Sequence, residues 1–161
     1  MLGMKFGKLL ASFVACYAVL ALGAVASISA RSYYSSLVQP EWAPPGWLFG
    51  PVWTTLYTLM AISVWLVWRR NETKGVSREL IVFGAQLVFN GLWSWLFFKW
   101  NLGAAAFLDI LLLLSLIIAN VSMFWKHSKL AAALLIPYLT WVAFAAALCY
   151  SVWQLNPTEL G

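Results

Sequence analysis

A chain of 161 residues that is 63% hydrophobic and only 9% charged carries more apolar surface than one soluble core could hide, since soluble domains hold about 25% charged residues. Its net charge of +5 comes from ten basic residues spread over short loops rather than one stripe, which excludes a nucleic-acid-binding surface. One histidine, His127, and two cysteines inside apolar runs, Cys16 and Cys149, exclude a histidine-ligated metal centre, a Ser-His-Asp triad and a loop disulfide.

Five apolar runs are long enough to span a bilayer, which takes about 20 residues. The expected fold is therefore all-α, a single five-helix transmembrane domain covering residues 1–161, with spans near 9–30, 45–68, 80–98, 102–125 and 130–153. The first run is free of charge. A cleaved leader would account for Lys5, Lys8 and Ala24-Val25-Ala26, but a 22-residue run exceeds the usual leader core of about 7–15 residues. The second helix is expected to begin at Pro44 or Pro45, where a missing N–H costs nothing. Asp109 interrupts the fourth run, and Pro137 is expected to bend the fifth by freeing the carbonyl of Ala133.

Charge sets the orientation. Lys5, Lys8, Arg69, Arg70, Lys74, Arg78, Lys126 and Lys129 share one side of a five-span chain, against Arg31 and Lys99 on the other. Eight against two places the N-terminus in the cytoplasm. Of eleven tryptophans, Trp65, Trp68, Trp100, Trp125 and Trp153 fall near span ends, as in an interfacial aromatic belt. Trp42, Trp47, Trp53, Trp93, Trp95 and Trp141 need another explanation.

The first outer loop ends in Gln39-Pro40-Glu41-Trp42-Ala43-Pro44-Pro45-Gly46-Trp47. Adjacent prolines stiffen it and the tryptophans give it flat apolar faces, as either a helix entry or a lid over a ligand. Trp53 and Tyr57 stack four apart in the second span. Gln86, Asn90, Trp93 and Phe97 share one face of the third. An amide pair facing lipid would be costly, so Gln86 and Asn90 face the bundle interior, as interhelical hydrogen-bonding groups or ligand contacts. Asp109 and Asn120 share a face of the fourth span, and an intramembrane carboxylate is either functional or helix–helix glue. Tyr138, Trp141, Ala145 and Leu148 line up on the fifth, aromatic walls beside small residues.

Four motifs in this order resemble the tryptophan-rich sensory protein, translocator protein or peripheral benzodiazepine receptor (TspO/MBR) family. They are Trp42-Ala-Pro-Pro-Gly-Trp47, Val52-Trp53-Thr-Thr-Leu-Tyr57, Gln86-Leu-Val-Phe-Asn90-Gly-Leu-Trp93 and Pro137-Tyr138-Leu-Thr-Trp141-Val-Ala-Phe144-Ala. The resemblance runs from about Tyr34 to Trp153. It implies a five-helix bundle, often a homodimer, in the lipid bilayer of a bacterial cell membrane. It also implies a pocket under the first loop for protoporphyrin IX or other hydrophobic small molecules, as ligand or substrate, with no resident cofactor or metal. In bacterial relatives this ligand is linked to tetrapyrrole regulation, stress response and light-dependent porphyrin breakdown. By position, Trp53 and Trp141 match the tryptophans linked to breakdown. Ligand-contact positions implied in the same way are Trp42, Pro44, Pro45, Trp47, Tyr57, Gln86, Asn90, Trp93, Tyr138, Phe144 and Leu148. Animal relatives end the fifth helix with a basic residue in a cholesterol motif, a weak pattern, and Gln154 stands there. Sterol binding is not expected at that motif. A sensor, a porphyrin-degrading enzyme and a transporter of porphyrin or other hydrophobic solutes, sterols included, remain open. Arg31 is the loop cation that porphyrin carboxylates would meet.

Overall fold

The computed structural model describes residues 2–28, 30–70 and 77–161, without the side chains of residues 2–4 and 31. Six α-helices follow in chain order: α1 Leu2–Ala26, α2 Ala30–Ser36, α3 Phe49–Trp68, α4 Arg78–Ser94, α5 Gly103–His127 and α6 Lys129–Leu155. Five of them, all but the seven-residue α2, are long and apolar enough to cross a membrane. The chain is a multi-pass integral membrane protein.

Three boundaries differ from expectation. The first span ends at Ala26 instead of reaching residue 30, and the chain turns into the short α2. The second does not begin at the prolines. Pro45 is extended (φ −65°, ψ 142°) and caps a single 3₁₀ turn, Gly46–Leu48, that leads into α3. Proline fits the extended state as readily as a helical first turn, and Pro44 before Pro45 is biased away from helix. The third span ends in a π-helical turn, Trp95–Lys99, in which the Trp100 amide donates to the Trp95 carbonyl at 2.8 Å.

Consecutive helices are not all neighbours. The packed pairs are α1 with α3, α3 with α6, α6 with α5, α5 with α4 and α4 with α1, which closes a ring. Helices α3 and α4 barely touch across it, which leaves a gap between them. The α1–α4 seam is tight because Gly91 has no Cβ; one there would lie 3.1 Å from Val19 Cγ1. Small residues at a crossing let two backbones approach where the bilayer supplies no hydrophobic drive.

The turns are short and chemically specified. Ser128 alone separates α5 from α6, and its Oγ accepts from the Ala131 amide at 3.3 Å, capping α6. Asn101 takes the left-handed conformation (φ 55°) before α5, one of the few residue types that does so cheaply. Pro137 lies inside α6.

The basic residues gather at one end, as the charge count anticipates. Lys8 Nζ donates to the Trp68 carbonyl at 3.0 Å, Trp65 Nε1 donates to the Lys5 carbonyl at 3.1 Å, and Arg70 reaches the His127 carbonyl. Lys74 and the Arg31 side chain lie outside the described residues. The opposite end carries α2 and the 37–48 segment, which together form a lid.

Candidate functional site

A cavity of about 460 Å³ opens beneath that lid, between the non-adjacent helices α3 and α4. Small-molecule pockets span roughly 300–1,000 Å³. Its aromatic walls are Phe49 and Trp53 from α3, Trp93 from α4 and Phe98 from the π turn. Tyr34 and Gly46 contribute from the lid, and Leu20, Gly23, Ala24 and Ser27 from α1. Tyr57 and Asn90 bring the polar groups of the inner wall, and Thr54 and Ser94 add hydroxyls.

The geometry of the walls follows from helical spacing. Trp53 and Tyr57, four apart, have ring centroids 5.9 Å apart. Trp93 and Phe97, also four apart, stack at 5.3 Å with planes 13° from parallel. The wider π turn carries Phe98 round to meet Trp93 edge-on at 5.7 Å. Such turns inside α-helices recur at functional sites.

Behind the inner wall runs a buried hydrogen-bonded chain joining α4 to α6. Asn90 Nδ2 donates to Tyr138 Oη at 2.6 Å, and Tyr138 Oη donates to Gln86 Oε1 at 2.7 Å. Tyr138 is fully buried and Gln86 is 1% exposed. The interhelical hydrogen bonding expected of the amides is thus present. Asn90 is an interhelical partner and also faces the cavity, whereas Gln86 and Tyr138 stand behind it.

Of the residues singled out from sequence, Trp53, Tyr57, Asn90 and Trp93 meet around the cavity. Trp141 does not line it. Its ring packs edge-on against Phe49 at 6.0 Å and beside Phe144 at 5.5 Å. Trp42 in turn rests on Phe144 at 5.7 Å. Trp42, Phe144, Trp141 and Phe49 therefore form an aromatic relay from lid to cavity wall. Trp47 is 61% exposed, and it, Pro44 and Pro45 belong to the lid without lining the cavity. Leu148 borders a much smaller apolar space with Cys149, Trp93 and Phe97.

Asp109 is 4% exposed on α5, neither carboxylate oxygen has a hydrogen-bond partner among the described residues, and it does not line the cavity. Asn120 is likewise buried and unpartnered. His127 sits at the basic end, its Nε2 3.0 Å from Glu79 Oε1, the full length of a helix from the lid.

Sequence reasoning missed Tyr34, Phe49, Phe98 and the α1 positions. The last had no distinguishing signal, because alanine and serine recur along the whole first run and Gly23 and Ala24 do not stand out in it.

The TspO/MBR family model matches residues 12–154. The chain is 42% identical to the tryptophan-rich protein TspO of Chlorobaculum tepidum over 78% of its own length and 80% of that protein. It is 38% identical to the human translocator protein, with 77% and 75% covered. It is 30% identical to the tryptophan-rich sensory protein of Cereibacter sphaeroides, with 96% and 95% covered.

Proposed function

Because this chain belongs to the TspO/MBR family, we propose that it is a membrane sensor whose cavity takes a flat hydrophobic tetrapyrrole, protoporphyrin IX being the type ligand. The names of its relatives, a sensory protein and a translocator protein, support a sensory, regulatory or transport role for a small hydrophobic molecule in the membrane. The observation that carries the finer reading is the composition of the cavity. Four aromatic planes, Phe49, Trp53, Trp93 and Phe98, stand around one space with Asn90 and Tyr57 on its inner wall. Planes hold a macrocycle by stacking and edge contacts, and a few placed polar groups orient it.

In this reading Trp53, Tyr57, Asn90 and Trp93 touch the ligand. Gln86 and Tyr138 hold Asn90 in place. Trp42, Pro44, Pro45 and Trp47 act through the lid, and Trp141, Phe144 and Leu148 through the packing behind the wall. The lone histidine lies at the far end, away from the cavity, so an imidazole-ligated haem iron is not the ligand this cavity favours.

One observation favours a light-dependent activity as a second reading: Trp53 is an indole directly in the cavity wall. In an oxidative breakdown the illuminated macrocycle loses electrons and dioxygen accepts them, and the Trp53 indole in the wall is a redox-active side chain through which they can pass. Trp141, one ring further out, would act by supporting Phe49. Titrating the purified protein with protoporphyrin IX in the dark, then under light, tests both. Saturable quenching of tryptophan fluorescence supports the binder. Light-dependent product that Trp53→Phe abolishes and Trp141→Phe only slows supports the second reading. A linear, unsaturable quench sinks the proposal.

A further inference from the structure

Asn156 closes α6 and takes no part in the cavity wall, yet its side chain is committed to the lid. Its Oδ1 accepts from the Val38 amide at 2.8 Å, and its Nδ2 donates to the Val38 carbonyl, also at 2.8 Å. Donor and acceptor on one backbone residue is the pairing a neighbouring strand would offer, here made across 118 positions of sequence. The same Nδ2 donates to the Val152 carbonyl at 2.7 Å, so the amide is oriented by its own helix.

The clasp is braced from below. The Asn156 carbonyl accepts from the Leu160 amide at 3.0 Å and the Glu159 amide at 3.2 Å, which folds the tail back. Leu160 is then fully buried, and its carbonyl accepts from the Gly103 amide at 2.9 Å at the start of α5. Asn156 itself is 5% exposed, so water competes little for its hydrogen bonds.

The lid has few other polar ties. Its prolines, Pro40, Pro44 and Pro45, offer no N–H. The Leu37 and Ala43 amides are satisfied locally, by the carbonyls of Tyr34 and Pro40. Among the described residues, the hydrogen bonds joining the stretch 37–45 to the transmembrane helices are those of Asn156. The remaining attachments are apolar, Trp42 on Phe144 and the buried Leu37.

We propose that Asn156 is a positioning residue that clasps the lid at Val38, and that this clasp sets how fast a ligand enters and leaves the cavity. The carboxamide suits the role because one group must both accept and donate. A carboxylate would keep the acceptor and lose both donations, and a glutamine would overshoot by a methylene.

The test is backbone hydrogen exchange of the full-length protein in lipid nanodiscs, with no ligand added. Asn156→Ala is expected to speed exchange over 38–48 by about tenfold or more, with the centres of α3 to α6 at wild-type rates. Wild-type exchange in the lid, or an equal rise throughout the bundle, would overturn the clasp, the second outcome reducing Asn156 to a helix cap. If Asn156→Ala does not fold, Val38→Pro removes the N–H that Oδ1 accepts, with a local restriction of the backbone at 37–38, and leaves the α6 cap intact. The same local rise over 39–48 is then expected, and its absence rejects the proposal. A second arm rests on the tetrapyrrole reading. In stopped flow with protoporphyrin IX, association and dissociation should both accelerate in the variant, by more than their ratio changes; unaltered rates count against the kinetic half of the proposal. A chain that binds no protoporphyrin refutes the tetrapyrrole reading, and the exchange arm alone then decides the clasp.

Discussion

Replacing Tyr138 with phenylalanine removes one oxygen from a fully buried ring and leaves its shape in place. That oxygen accepts from Asn90 at 2.6 Å and donates to Gln86 at 2.7 Å, so two interhelical hydrogen bonds vanish together. Such bonds average about 0.6 kcal/mol in membranes, with a maximum near 1.7, which puts the loss at about 1–3 kcal/mol. The orphaned groups push it toward the upper end. Among the described residues Gln86 Nε2 already has no partner, so its amide cannot compensate by a simple flip. Tyr138 does not line the cavity, and porphyrin affinity should therefore change by less than a factor of about three. Asn90→Leu should behave differently. It deletes one of the two bonds and also a group facing the cavity, so stability falls less while affinity falls by about tenfold, on the order of 1 kcal/mol. Unfolding by SDS titration, beside a fluorescence titration on the same preparations, measures both. Unchanged stability of Tyr138→Phe, or an affinity loss equal to that of Asn90→Leu, would refute the separation of a supporting layer from a contacting one.

Gly103→Ala should destabilise the protein by about 1–3 kcal/mol through overpacking, since the new Cβ would lie 2.4 Å from Trp153 Cδ1; a denaturation midpoint equal to wild type would mean that Trp153 moves freely. Ala24→Trp places an indole at an exposed position of the cavity rim. Ligand affinity should fall at least about tenfold with stability within about 0.5 kcal/mol of wild type, and retained affinity would move the ligand elsewhere. A membrane-impermeant thiol reagent added to intact cells should label Ser36→Cys, on the lid, and spare Lys126→Cys, at the basic end. The background is low because Cys16 and Cys149 are both buried, and the reverse pattern would invert the charge-based topology.

Trp53 with Tyr57, and Asn90 with Trp93, were legible as pairs on one helix face because spacing within a helix decides which side chains meet; that these faces border a cavity was implied only by the family resemblance. The supporting role of Tyr138 was not legible, because it depends on α6 lying against α4 at a depth that brings Oη between two amides. Trp141 looked equivalent to Trp53 in a one-dimensional reading. It stands one ring outside the wall because α6 enters the bundle behind Phe49, a matter of helix order around the ring.

Taken alone, the sequence determined the solvent, the number of spans, the charge asymmetry and the polar residues that had to face inward. All four follow from the cost of exposing charge or unpaired polar groups to hydrocarbon, which acts segment by segment. Tertiary structure alone decided that α3 and α4, consecutive in the chain, stand apart, and that α1 closes the side of the gap between them. It decided too that a π turn swings Phe98 into the wall and that Asn156 reaches back to Val38. Each of these depends on pairings between distant segments, whose energies lie in packing and hydrogen bonds that no single stretch of residues contains.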